Sequence, residues 1–295
     1  MPQNIFSKVV ALAGWCALLF GCAMPTAQQR TNEVQNVADR LGWRALRLPA
    51  EPFVLAAWTF PVPVQIETSQ DASKTLTIYI EGDGYAWRSP SQPSDNPTPM
   101  APVAWRLALQ HADTTKSDKI AYLARPCQYI DAVDWGACSE AYWTDGRFSE
   151  DVVASMDTAL TRLKLGAGAQ RLHLVGFSGG GAVAALLAAR RTDVDLLVTV
   201  AGNLDTQAWT RWHRVPALGM SLNPADSARA LQNTVQMHFV GQSDSVMPEQ
   251  IARAYAARFQ KDKQPSIRLV AGANHTCCWA EKWPALMQEA GLKVR

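Results

Sequence analysis

With 295 residues, 48% of them hydrophobic and 18% charged, the chain can bury one large core, and an α/β domain of this length is commonly single. Its 28 basic and 26 acidic residues are mixed along the sequence and leave a formal charge of +2. No basic block therefore points to nucleic acid, and no acidic tail points to disorder.

The N-terminus opens with "MPQNIFSK" and continues as "VVALAGWCALLFG", an uncharged apolar run. The run is too short to span a bilayer, which needs ~20 residues. A short positive start before a short apolar stretch reads as a signal peptide over residues 1–21. It ends in "LFGC", which resembles a bacterial lipobox, although Phe20 is bulky where small residues are usual. That resemblance implies lipidation of Cys22, export to the periplasm and anchoring at a membrane surface rather than a span. Ordinary secretion and a buried N-terminal helix are the alternatives. Residues 22–50 read as a polar linker or extension, and 51–295 as a single domain with enlarged loops.

Strands and helices then alternate. "FVLAAWTF" (53–60) and "VPVQIET" (62–68) are the opening strands, and "TLTIYIE" (75–81) is β-branched and central. Five prolines between positions 90 and 102 make a loop. "VAWRLALQHA" (103–112) is a helix and "IAYLAR" (120–125) a strand. "FSEDVVASMDTALTRLKL" (148–165) is a helix with Ser149 as N-cap and Val152, Met156, Leu160 and Leu163 on one face. "RLHLVG", "VDLLVTVAG", "TVQMHFVG" and "SIRLVAG" follow as strands, with helices after the first, third and fourth. Repeated βα units with continuous apolar strands imply an α/β fold, a mostly parallel sheet covered on both faces. Functional loops then lie at the carboxyl ends of the strands.

At the end of "RLHLV" stands Gly176-Phe177-Ser178-Gly179-Gly180, a G-x-S-x-G between strand and helix. A sharp turn there projects the serine hydroxyl, while Gly176 and Gly180 leave room where strand and helix nearly touch. The amide of Gly179 faces the same place. A serine hydroxyl is a poor nucleophile without a base. His173 and His238 sit inside strands, His111 ends a helix, and His213 lies in a tryptophan-rich insertion; His275, on the loop after the last strand, is the preferred base. The base needs a carboxylate. Asp244 follows the penultimate strand and is preferred, with Asp205 in reserve.

Ser178, Asp244 and His275 stand in the order Ser…Asp…His, each after a strand, from about Phe53 onward. In this the chain resembles the α/β-hydrolase superfamily, on its serine esterase and lipase side. The resemblance implies an oxyanion hole of Gly179 and the loop Glu81-Gly82-Asp83-Gly84, which stands where an H-G-x-G motif is usual. Glu81 replaces the histidine. Asp83 should turn its side chain away and let its amide, or that of Gly84, face the pocket; a plain acidic turn is the alternative. The expected substrate is a small or lipid-like carboxylic ester, with no cofactor, no metal and no nucleic acid. Amide cleavage, acyl transfer and a non-catalytic scaffold are alternatives on the same fold. A dinucleotide site is disfavoured, because G-x-G-x-x-G needs glycine where Ser178 stands, and because Asp195 begins the next strand instead of ending it.

With Cys16 and Cys22 set aside, four cysteines allow three pairings. Cys127 with Cys138 is the first choice; Cys277 and Cys278, being adjacent, bond each other or tie elsewhere. Trp87, Trp135, Trp143, Trp209, Trp212 and Trp279 all fall near the catalytic edge, either as a substrate wall or as small cores under long loops. Arg125 and Arg147 could pair with an acidic substrate, or form surface salt bridges.

Overall fold

The computed structural model describes residues 24–61, 74–115 and 117–292. The signal segment, Cys22 and the strand expected over 62–68 lie outside the described residues. In chain order come α1 (Ala27–Arg40), β1 (Arg44–Ala50), β2 (Phe53–Phe60), β3 (Thr75–Ile80), the short β4 (Trp87–Ser89) and β5 (Gln92–Pro93), and α2 (Val103–Thr114). They are followed by β6 (Lys119–Leu123), α3 (Glu150–Gly166), β7 (Arg171–Phe177), α4 (Gly179–Arg190) and β8 (Val194–Val200). The last elements are α5 (Thr206–His213), β9 (Val235–Gly241), α6 (Glu249–Ala256), β10 (Ser266–Val270) and α7 (Trp279–Glu289).

One sheet of eight strands runs in the order β1-β2-β6-β3-β7-β8-β9-β10. β2 pairs antiparallel with β1 and β6, and every later neighbour is parallel. The inner strands β3, β7 and β8 read as largely apolar runs because both faces are covered. Along β3, Leu76, Ile78 and Ile80 enter one core with Met156, Leu160 and Leu187, while Tyr79 enters the other with Trp105 and Trp283. Along β7, Leu172 and Leu174 take the first core, and Val175 and Phe177 the second. The period of 2 thus divides side chains between two cores. Ser149 caps α3 as expected, accepting from the amide of Val152.

The expected linker over 22–50 is corrected. From Ala27 it is a helix and then a strand of the main sheet. Thr26 and Gln29 form a capping box at the start of α1. Val34, Ala38 and the following Trp43 are buried against Trp105 and Phe60. β1 carries Pro49 and two arginines, which an edge strand tolerates. Its register runs from Arg44 opposite Thr59 to Ala50 opposite Phe53.

Candidate active site

β7 delivers the chain to Ser178, whose φ of 51° and ψ of −120° lie outside the regions that side-chain-bearing residues favour. Neighbouring strand ends hold this conformation. The Ser178 amide donates to the Val200 carbonyl (3.0 Å), and its carbonyl accepts from the amides of Gly181 (2.9 Å) and Asn203 (3.0 Å). A Cβ on Gly176 would overlap the Gly180 carbonyl, and one on Gly180 would overlap the carbonyls of Ile80 and Glu81. Only glycine lets the turn pass this close to β3.

His275 and Asp244 arrive from the next strand ends, after β10 and β9. His275 Nε2 is 3.1 Å from Ser178 Oγ, and its Nδ1 is 3.0 Å from Asp244 Oδ2. With Asp244 accepting the hydrogen bond from Nδ1–H, Nε2 is left to accept from the serine hydroxyl. The other carboxylate oxygen of Asp244 accepts from the amides of Val246 and Met247, each at 2.8 Å. Burial works to raise the Asp244 pKa, but the His275 bond and charge and these two amides outweigh it, holding the carboxyl below its ordinary value. Asn274 Oδ1 takes the amides of Thr276 and Cys277, and Trp279 Nε1 donates to the His275 carbonyl at 3.0 Å, so His275 sits on a fixed loop.

The other candidates are occupied elsewhere. Asp205 caps α5, accepting from Ala208 N at 2.9 Å. His213 Nε2 lies 2.8 Å from the Val246 carbonyl, with its ring against Trp209. His111 is buried between Tyr79 Oη (2.9 Å) and Asp118 (3.2 Å). His238 bonds Thr199 at 2.8 Å, and burial pushes its pKa down to about 3.

The loop Glu81-Gly82-Asp83-Gly84, expected to supply an oxyanion donor, is braced from within the protein. Glu81 is fully buried and braces the loop. It accepts from the Gly82 amide (2.9 Å), from the amides of Ala104 and Trp105 at the start of α2, and from Tyr122 Oη (3.1 Å). Burial raises its pKa, against these four bonds. Gly82 N–H is thereby consumed, while the amides of Gly179, Asp83 and Gly84 meet no protein acceptor among the described residues. Gly84 has φ +69°, and a Cβ there would overlap the Pro97 carbonyl. Gln128, which no local motif marks, bonds the Gly82 carbonyl through Nε2 (2.9 Å) and the Arg125 amide through Oε1 (3.1 Å).

The Asp83 carboxylate is held by protein groups. It lies where a Cβ on Gly179 would stand, and it is tied to Arg125 Nη1 (3.3 Å) and Arg147 Nη1 (3.1 Å). The surface salt bridges expected of these arginines are corrected too, since their side chains are only 4% and 8% exposed. Arg125 Nη2 donates to the Arg147 carbonyl, and Arg147 Nε to the Thr144 carbonyl. Burial lowers the Arg125 pKa, with Asp83 opposing and Arg147 adding to the effect. The Arg147 guanidinium lies 5.8 Å from the Trp209 ring centroid, and Trp209 Nε1 donates to the Val246 carbonyl at 3.1 Å. A closed circuit of contacts thus runs from Ser178 through His275, Asp244, Val246, Trp209, Arg147 and Asp83 back to Gly179.

Of the remaining tryptophans, Trp143 is buried in the first core with Trp135 packed on it, and Trp279 is buried in the second; Trp87 and Trp212 are exposed. Cys127 is bonded to Cys138, and Cys277 to Cys278. Among the described residues no group of three or more His, Cys, Asp or Glu could hold a metal ion. No described helix is long and apolar enough to cross a membrane.

No family model matches the chain, and no curated protein matches it. Solved structures do. It is similar to the esterase domain of a Rhodothermus marinus protein, at 14% identity and a TM-score of 0.53, covering 85% of this chain and 96% of that one. It is similar to the Pyrococcus furiosus esterase Pf2001, at 12% identity and 0.57, covering 85% and 93%. A puromycin-hydrolyzing peptidase of Mycobacterium tuberculosis gives 15% and 0.58, covering 85% of this chain but 39% of that one. With its mostly parallel eight-stranded sheet, the chain has the α/β-hydrolase fold.

Proposed function

We propose that the chain is a serine hydrolase that cleaves a carboxylic ester through Ser178, His275 and Asp244. The observation that carries this is the unbroken contact from Ser178 Oγ to His275 Nε2 (3.1 Å) and from Nδ1 to Asp244 (3.0 Å). His275 takes the serine proton as Oγ attacks the carbonyl carbon. Asp244, ionised at neutral pH because its pKa is depressed, stabilises the imidazolium. The amide of Gly179, with that of Asp83 or Gly84, receives the negative charge on the carbonyl oxygen. His275 protonates the departing alcohol, then activates the water that releases the acyl group. The esterases among the similar structures support an ester over an amide. The test is labelling with a neutral fluorophosphonate and turnover of 4-nitrophenyl esters. Wild type should carry the adduct on Ser178, and Ser178→Ala should lose at least about 10⁴-fold in kcat. A folded protein that takes no label and turns over no ester would refute the reading.

We also propose export and lipid anchoring through Cys22, supported by the apolar run and its "LFGC" end. Processing should be blocked by globomycin, and Cys22→Ser should release the protein from the membrane fraction.

A further inference from the structure

We propose that Arg147, backed by Arg125, forms a subsite for an anionic oxygen group, a carboxylate or a phosphate, carried by the ester substrate. This rests on the serine hydrolase reading and names the substrate class within it.

Charge balance is the first argument. Two guanidinium groups share the single carboxylate of Asp83, and no other acid pairs with either among the described residues. One positive charge is left over on side chains that are 4% and 8% exposed. Burying an uncompensated charge is costly, and an anion from outside relieves it. The count of donors points the same way. Asp83 uses one Nη1 of each arginine, and carbonyls take Arg125 Nη2 and Arg147 Nε. Arg125 Nε is buried with no partner. Arg147 Nη2 meets no protein acceptor among the described residues and is not among the buried, unpartnered atoms, so solvent reaches it.

Position is the third argument. Arg147 closes the circuit of contacts between Trp209 and the Asp83 carboxylate that rests on Gly179. Gly179 follows Ser178 directly, so Arg147 lies one side chain, that of Asp83, away from the serine turn. The planar guanidinium fork suits a carboxylate or phosphate better than a neutral group.

The experiment uses two matched substrate pairs with the full-length mature protein. One pair is mono-4-nitrophenyl glutarate against 4-nitrophenyl pentanoate, which puts the charge on the acyl side. The other is a short-chain diacyl phosphatidate against the matching diacylglycerol, which puts it on the alcohol side. In at least one pair the anionic member should have the higher kcat/KM by about tenfold. Arg147→Gln should collapse that ratio toward one, and Arg147→Lys should keep part of it. A second readout needs no variant: monomethyl glutarate should slow fluorophosphonate labelling of wild-type Ser178 competitively, and dimethyl glutarate should not. Labelled protein with flat ratios in both pairs and no protection by monomethyl glutarate overturns the subsite and leaves the hydrolase reading standing. So does a ratio that Arg147→Gln leaves unchanged. Absence of labelling removes both.

Discussion

At the scale of single residues, His238 gives the sharpest expectation. Burial holds its imidazole near pKa 3, against about 6.5 in an unfolded chain. Between those values the unfolded chain binds a proton that the folded chain refuses. Stability is therefore full above about pH 6.5 and falls as the solution is acidified toward pH 3; by pH 5 the loss is about 2 kcal/mol. His238→Asn should lose about 2 kcal/mol less than wild type between pH 7 and pH 5 in urea denaturation; equal losses would rule this account out. Gly176 is the second case. Its missing Cβ lets Gly180 and Gly181 pass within contact, and the obstructing atoms are backbone. Gly176→Ala should cost about 3 kcal/mol or more, read by thermal unfolding. Ser178, His275 and Asp244, which the structure brings within hydrogen-bond distance, were legible in the sequence because each follows an apolar strand. The partnership of Asp83 with Arg125 and Arg147 was not. Those pairs span 42 and 64 positions, and nothing local marks a buried arginine.

Among the elements, β3, β7 and β8 were legible because burial on both faces writes itself as continuous apolar sequence. α1 was not, because among its 14 residues only Arg30, Val34 and Ala38 are buried. Val37 is partly buried beside them, so the apolar stripe at 34, 37 and 38 is narrow and set in an otherwise polar sequence. The helix is nevertheless part of the second core. Ala38 is fully buried, so Ala38→Asp would leave an unpaired carboxylate against Trp43 and its neighbours. That should destabilise the whole domain by about 3–5 kcal/mol, measured by urea denaturation. A loss below about 1 kcal/mol would mean that α1 detaches without consequence.

For the molecule as a whole, the segment between β6 and α3 carries both Arg125 and Arg147, and the Cys127–Cys138 bond clips it across 11 positions. A closed loop of that size contributes about 3 kcal/mol through the unfolded chain. The double substitution Cys127→Ser, Cys138→Ser should lower stability by up to that amount, and a stability equal to wild type would contradict it. The circuit of contacts from Ser178 to Gly179 has a wider consequence. Its members come from the loops after β3, β6, β7, β8, β9 and β10, and Ser178 and His275 are 97 positions apart. No fragment of the chain can assemble it, so a half-made molecule is chemically silent. On the proposed mechanism, reactivity toward a fluorophosphonate becomes a clock for refolding, one that starts only when the last strand has docked.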